Sequence, residues 1–235
     1  MEQGTHRGRG VATAWPWLCA VMALAAACYP SGVSDVTDLN TVTTLYDQPL
    51  ANSGGFQKLT TYTLLGSTVA NPSSCIIEDL ADGGQFQFKN AAIPPAICNT
   101  INTELQDLGY TQVNASVSSP ASFLVTVAGL NQSYTAWVYY PWYGYWGGYY
   151  PGYPWYGWGI YYPWAGYAYS YQIGTIVITM VTPQANSSPD GGVIDAIWTA
   201  ALNGVNTAPN NTPQVVSAGI VQAFAQSPYL GASPQ

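Results

Sequence analysis

The side chains able to do acid–base or ligating chemistry are few. Beyond the first 30 residues the carboxylates are Asp35, Asp38, Asp47, Glu78, Asp79, Asp82, Glu104, Asp107, Asp190 and Asp195. Two carboxylates flanking a scissile bond can hydrolyse a glycoside unaided, so a carboxylate-based hydrolase stands as a remote alternative. Most of these acids sit in turn-like or exposed helical contexts, which is the ordinary place for solvated charge. Glu78-Asp79-x-x-Asp82 offers oxygen ligands of the kind calcium takes, but without the full ligand run of an EF-hand loop. A solvated acidic turn is the simpler reading, so no metal site and no cofactor is expected.

What is missing narrows the chemistry further. The chain holds one histidine, His6, and two arginines, Arg7 and Arg9, all close to its start. If the first 27 residues are removed, no imidazole base and no guanidinium clamp survive. Ser-His-Asp and Cys-His arrangements are then excluded, as are zinc sites containing histidine and bidentate phosphate binding. No glycine-rich phosphate loop is present. The remaining cations are Lys58 and Lys89 against ten carboxylates, a net charge of −8. That balance disfavours nucleic acid, which needs a basic surface.

The amino-terminal segment reads as an export signal. Arg7 and Arg9 precede a run without charge from Val11 to Ala27, ending Leu24-Ala25-Ala26-Ala27-Cys28. A basic start, a short apolar stretch and small residues at the end make a secretory signal peptide over 1–27. It is shorter than the roughly 20 apolar residues a membrane span needs. Small residues directly before Cys28 resemble a bacterial lipobox, which implies lipidation of Cys28 and, with Tyr29 rather than Asp next, an outer-membrane lipoprotein. Two or more acyl chains give stable anchoring. The alternative is an ordinary signal peptide cut near Ala27, leaving Cys28 a spare thiol. With Cys28 acylated, residues 28–33 form a lipidated tether. Cys75 and Cys98 remain as an even pair in an oxidising compartment, where a disulfide is expected and two free thiols are the alternative.

The remaining chain, 34–230, reads as a single α+β domain with a tail at 231–235. Ser34 to Tyr46 and Phe56 to Leu65 read as strands, and Gly66 to Ala92 as loop. Ile93 to Leu108 is the clearest helix: Pro94 and Pro95 open it, Ile97, Ile101, Leu105 and Leu108 make one stripe, and Gly109 follows. Ser122 to Leu130 is apolar on both faces, as a central strand is. Gly174 to Pro183 and Val193 to Leu202 read as a hairpin, the second strand placing Ile194, Ala196, Trp198 and Ala200 on one face. Thr212 and Pro213 open a last helix carrying Val216, Ile220 and Phe224, stopped at Ser227-Pro228. The expected architecture is a mainly antiparallel sheet of about five strands with two helices on one face.

Residues 137–171 form a low-complexity aromatic insert. Of 35 residues, 13 are Tyr, 6 Trp, 7 Gly and 4 Pro, and no charge occurs between Asp107 and Asp190. So many rings exceed what one core can take, so part of them must pack on one another or meet a partner. The candidate contact surface is Trp137, Tyr139, Tyr140, Trp142, Tyr143, Trp146, Tyr150, Trp155, Trp158, Tyr162 and Trp164. Amphipathic rings suit the membrane–water interface, other aromatic segments or the faces of sugars. A long loop ordered by ring–ring contacts alone is the plain alternative.

In order along the chain, Phe56-x-Lys58-x-x-Thr61-Tyr62, Leu108-Gly109-Tyr110, Ala121-Ser122-Phe123-Leu124-Val125, the Gly/Tyr/Trp insert, Gly174-Thr175-Ile176-Val177-Ile178, Ile197-Trp198-Thr199 and Ser227-Pro228 follow one pattern. This pattern resembles the bacterial lipoproteins of domain-of-unknown-function family 4136, from about Asp47 to Leu230. The scarcity of basic residues and the Cys75/Cys98 pair depart from it. The resemblance implies an envelope lipoprotein with an α+β domain and carries over no catalytic residue. The expectation is a non-enzymatic, lipid-anchored cell-envelope protein. Its partners would be the membrane, through the anchor, and other envelope proteins, itself or glycan; a glycan- or peptidoglycan-binding module is the alternative function.

Overall fold

A computed structural model describes residues 42–79, 84–116, 119–130, 134–136, 159–161, 169–171, 174–186, 193–204 and 212–231. The signal peptide, the tether, Cys28 and most of the aromatic insert lie outside these residues. In chain order the elements are β1 (Val42–Tyr46), α1 (Gln48–Asn52), β2 (Thr61–Leu64), β3 (Ile77–Asp79), α2 (Ile93–Asp107), β4 (Thr111–Gln112), β5 (Phe123–Gly129), β6 (Tyr134–Ala136), β7 (Gly159–Tyr161), β8 (Tyr169–Tyr171), β9 (Ile176–Asn186), β10 (Val193–Leu202) and α3 (Pro213–Ala225). None of the described helices is long and apolar enough to cross a membrane.

Eight strands form one sheet, with the path β1-β10-β9-β5-β2-β4; β6 and β8 pair separately. On one side of β5, β2 and β3 lie end to end, and on the outer side of β10, β1 and β7 do the same. The sheet is mixed, which corrects the expected mainly antiparallel arrangement. The β1–β10, β10–β9 and β9–β5 pairs are antiparallel, while β5–β2, β5–β3, β2–β4 and β10–β7 are parallel. The cause lies in the connections. A connection as short as the six residues between β9 and β10 brings the next strand back antiparallel, but strands separated by a helix return in the same direction, as β2 and β4 do across α2.

Other differences are local. Phe56–Lys58 is a 3-10 turn and only Thr61–Leu64 is strand. The stretch read as loop contains β3, whose Ile77 enters the core. The single face expected in β10 is interrupted by a bulge between Ala196 and Trp198. The extra residue lets Ile197 and Trp198 both join the core, while Ala196 pairs with Val181 on the opposite side. A third, short helix, α1, is capped by Asp47, whose Oδ1 accepts from the Leu50 N–H at 2.9 Å.

Both long helices pack on one face of the sheet, as expected. Ile97, Ile101 and Leu105 of α2 and Val216, Ile220 and Phe224 of α3 share one core cluster with Tyr62, Leu64, Phe123, Val125, Val127, Ile176, Ile178, Met180 and Trp198. The end of α2 is fixed by Gly109 at φ 91°, the left-handed conformation a helix stop favours. There the Gly109 N–H donates to Gln106 O and the Tyr110 N–H to Leu105 O. The α3 start is capped by Thr212 Oγ1, which accepts from the Val215 N–H at 3.3 Å.

Candidate functional site: the aromatic insert and its base

The insert is rooted at one end of the sheet. β5 ends at Gly129, and the Leu130 N–H donates to Thr175 O at 2.9 Å, while the Gly174 N–H donates back to Leu130 O at 2.6 Å. Beyond this clasp, β6 and β8 pair antiparallel, with Tyr134 opposite Tyr171 and Ala136 opposite Tyr169. The insert also supplies β7, whose Gly159, Ile160 and Tyr161 pair in parallel with Val193, Ile194 and Asp195. The low-complexity segment therefore contributes strands as well as connections. Edge pairing suits it, because glycine and proline next to a short edge strand cost a sheet little. All eleven candidate contact residues, Trp137 to Trp164, lie outside the described residues.

Cys75 and Cys98 are joined as a disulfide, 23 positions apart with 5.6 Å between Cα atoms. Cys98 is buried on α2 and Cys75 half-buried, so the bridge holds the segment before β3 against the helix. The Cys75 N–H also donates to Cys98 Sγ at 3.2 Å.

The carboxylates are dispersed. Asp47 caps α1. Glu104 and Asp107 stand one turn apart on α2; partial burial, with the Asp107 charge adding to it, holds the Glu104 carboxyl above its ordinary value. Glu78 and Asp79 are both buried on β3, at 8% and 7% exposure, but consecutive strand residues point to opposite faces. Ile77 belongs to the helical core, so Glu78 lies on the other face of the sheet, in register with Ala128. Burial pushes its carboxyl up to about 7. Asp195 lies on β10, and Asp35, Asp38, Asp82 and Asp190 are outside the described residues. Among the described residues no group of three or more His, Cys, Asp or Glu could hold a metal ion. Sequence reasoning missed the burial of Glu78, because a Glu-Asp pair in a polar stretch carries the signal of a solvated turn.

A family model described as "Domain of unknown function (DUF4136)" matches residues 42–229. The chain belongs to the DUF4136 family. The crystal structure of a DUF4136 family protein (BT2437) from Bacteroides thetaiotaomicron VPI-5482 is similar in fold, with a TM-score of 0.58 and 24% identity. The match covers 83% of this chain and 98% of that one. No curated protein matches the chain. For this DUF4136 protein the family match runs from β1 to the turn after α3, so it includes the sheet, both long helices and the insert.

Proposed function

We propose that the protein is a non-enzymatic, lipid-anchored bacterial cell-envelope protein of the outer membrane, and that its aromatic insert makes membrane-interface, surface or self-association contacts. Cys28 follows a short apolar run ending in small residues, which supports acylation there. The stretch from Tyr29 to Thr41 separates it from β1 and is long enough to hold the domain off a lipid surface. The observation that carries the contact role is the rooting of a chargeless Tyr/Trp/Gly segment in a rigid sheet, through the Leu130–Gly174 clasp. A segment tied to the sheet at both ends has less freedom to lose on meeting a partner, which favours contact.

Intact mass of the protein extracted from its membrane tests the anchor: processing at Ala27 with acyl chains on Cys28 is expected, and Cys28→Ser should move the protein to the soluble fraction. An unprocessed amino terminus would refute the anchor. For the contact role, Trp142→Ser together with Trp146→Ser should weaken cross-linking to envelope partners or to itself. Unchanged cross-linking would refute that part.

A further inference from the structure

The disulfide joins an inner sulfur to an outer one. Cys98, on the second turn of α2, is 1% exposed and sits in the core cluster with Ile97 and Ile101. Cys75 is half-buried on the segment before β3, next to the exposed Ser74. Both residues are held in place by bonds other than the bridge. On either side of Cys75, the Ser74 N–H donates to Asn71 O at 3.4 Å and the Ile76 N–H to Leu65 O at 2.8 Å. Pro72 O accepts from Asn102 Nδ2 at 2.7 Å and from Ser67 Oγ at 3.3 Å. Cys98 is fixed by its helix and by the packing of Ile97 and Ile101. The two sulfurs therefore stay opposite each other when the bond between them opens.

We propose that Cys75 and Cys98 form a directional site of thiol–disulfide exchange, in which Cys75 meets the external partner and Cys98 resolves the intermediate. In the oxidising direction the Cys75 thiolate attacks an external disulfide. A bond forms between Cys75 Sγ and one half of the partner, and the other half leaves as a thiolate. The Cys98 thiolate then attacks Cys75 Sγ; the Cys75–Cys98 bond forms and the second half leaves. Two protein thiols thus lose two electrons to the partner's disulfide, and their two protons pass through solvent to the two thiols released. Reduction is the reverse. An external thiolate attacks Cys75 Sγ, Cys98 leaves as a thiolate, and a second external thiolate attacks the mixed disulfide to release Cys75.

Access, charge and proximity set the direction. Attack on Cys98 Sγ would need part of the core to open, whereas Cys75 borders solvent. A thiolate on Cys98 lies in the core, where an unpaired charge is costly, and there the Cys75 N–H already donates to Cys98 Sγ at 3.2 Å. Such a bond strengthens as the sulfur ionises, which favours Cys98 as the leaving thiolate. The Cα atoms stand 5.6 Å apart in a frame that other bonds hold, so the resolving step is intramolecular. The partner is identified by its chemistry: an accessible disulfide, or the thiol it yields, carried by a small molecule or by a protein.

The test uses the full chain, reduced and then freed of reductant, with peptide mass mapping to separate Cys75 and Cys98 from Cys19 and Cys28. With oxidised glutathione, Cys98→Ser should gain a lasting adduct on Cys75 at least tenfold faster than Cys75→Ser gains one on Cys98. In the parent the Cys75 adduct should be transient and give way to the disulfide. Equal rates on the two sulfurs in folded variants, or a faster rate on Cys98, would overturn the proposal. Where a variant folds poorly, the oxidised wild-type chain answers the same question: brief exposure to reduced glutathione, quenched with acid, should leave the mixed disulfide on Cys75. A mixed disulfide on Cys98, or reduction that occurs only with global unfolding, would also overturn it. Repetition with an oxidised Cys-x-x-Cys protein distinguishes the source: an adduct with both probes supports a protein partner, and one with glutathione alone supports a small thiol. Acylation enters none of these readouts, so failure here leaves the anchor untouched.

Discussion

Glu78 stands opposite Ala128 in a parallel pairing, on the face of the sheet away from the two long helices, where its side chain is buried. Desolvation raises its pKa from 4.5 to about 7, and this sets a pH dependence whose sign is fixed. Below about pH 4.5 the group is protonated in both folded and unfolded chains and costs nothing. As pH rises toward 7 the unfolded chain ionises first, so stability falls; above 7 the loss levels at about 3 kcal/mol. Urea titrations should show Glu78→Gln more stable than the parent at pH 8, by about 1–3 kcal/mol, with the advantage gone at pH 4.5. A constant difference across that range would contradict the assignment.

Trp198 and Ser227 join β10 to the turn after α3. The Trp198 indole N–H donates to Ser227 Oγ at 2.9 Å, Ser227 Oγ donates to Ala223 O at 3.0 Å, and Tyr229 Oη donates to Ser227 Oγ at 3.2 Å. Both Trp198 and Ser227 are fully buried. Ser227→Ala leaves the indole donor unsatisfied in the core, a cost of about 1–3 kcal/mol. The midpoint of chemical denaturation should fall accordingly with an unchanged slope.

The disulfide has a separate signature. Closing a loop of 23 steps restricts the unfolded chain by about 3 kcal/mol in the chain-entropy model. Cys75→Ser with Cys98→Ser should lower stability by that order and leave the core folded, because Cys98 contributes one small side chain to a large cluster. Thermal melts with and without reductant should differ for the parent and coincide for the double variant.

Local signals were readable in sequence and long-range ones were not. α2 could be read because Ile97, Ile101 and Leu105 repeat at helical spacing between prolines and a glycine stop, all within one segment. β3 could not, since Ile77 is a lone apolar residue before two acids and its pairing depends on β5, some fifty residues away. The bulge at Ile197 breaks the alternation that the spacing of Ala196 and Trp198 suggests, and only the partner strand reveals it. At the candidate site, composition marks the insert as exceptional, whereas the pairing of Gly159–Tyr161 with β10 has no local sequence signature. Thr126, Thr179 and Thr199 look like ordinary strand residues until register aligns them in one row across β5, β9 and β10.

Tyr62 carries the last prediction, because its hydroxyl both stabilises the fold and titrates with it. Its Oη donates to Asn102 Oδ1 at 2.9 Å, and Asn102 Nδ2 donates to Pro72 O at 2.7 Å, so one buried amide ties β2, α2 and the loop after β2 together. Tyr62→Phe keeps the ring, which stacks on Phe123 at 5.9 Å, and removes only the donor. Near neutral pH the variant should lose about 1–2 kcal/mol, since Asn102 Oδ1 then lacks that donor in a buried site. Burial, partly offset by a hydrogen bond with Gln106, raises the Tyr62 phenol from 10 to about 12. Between pH 10 and 12 the unfolded parent ionises while the folded parent keeps its proton, so the parent alone loses this contribution as pH rises. The stability gap between parent and Tyr62→Phe should therefore close across that interval. A gap that stays constant to pH 12 would show that the Tyr62 hydroxyl titrates freely and does not hold the amide.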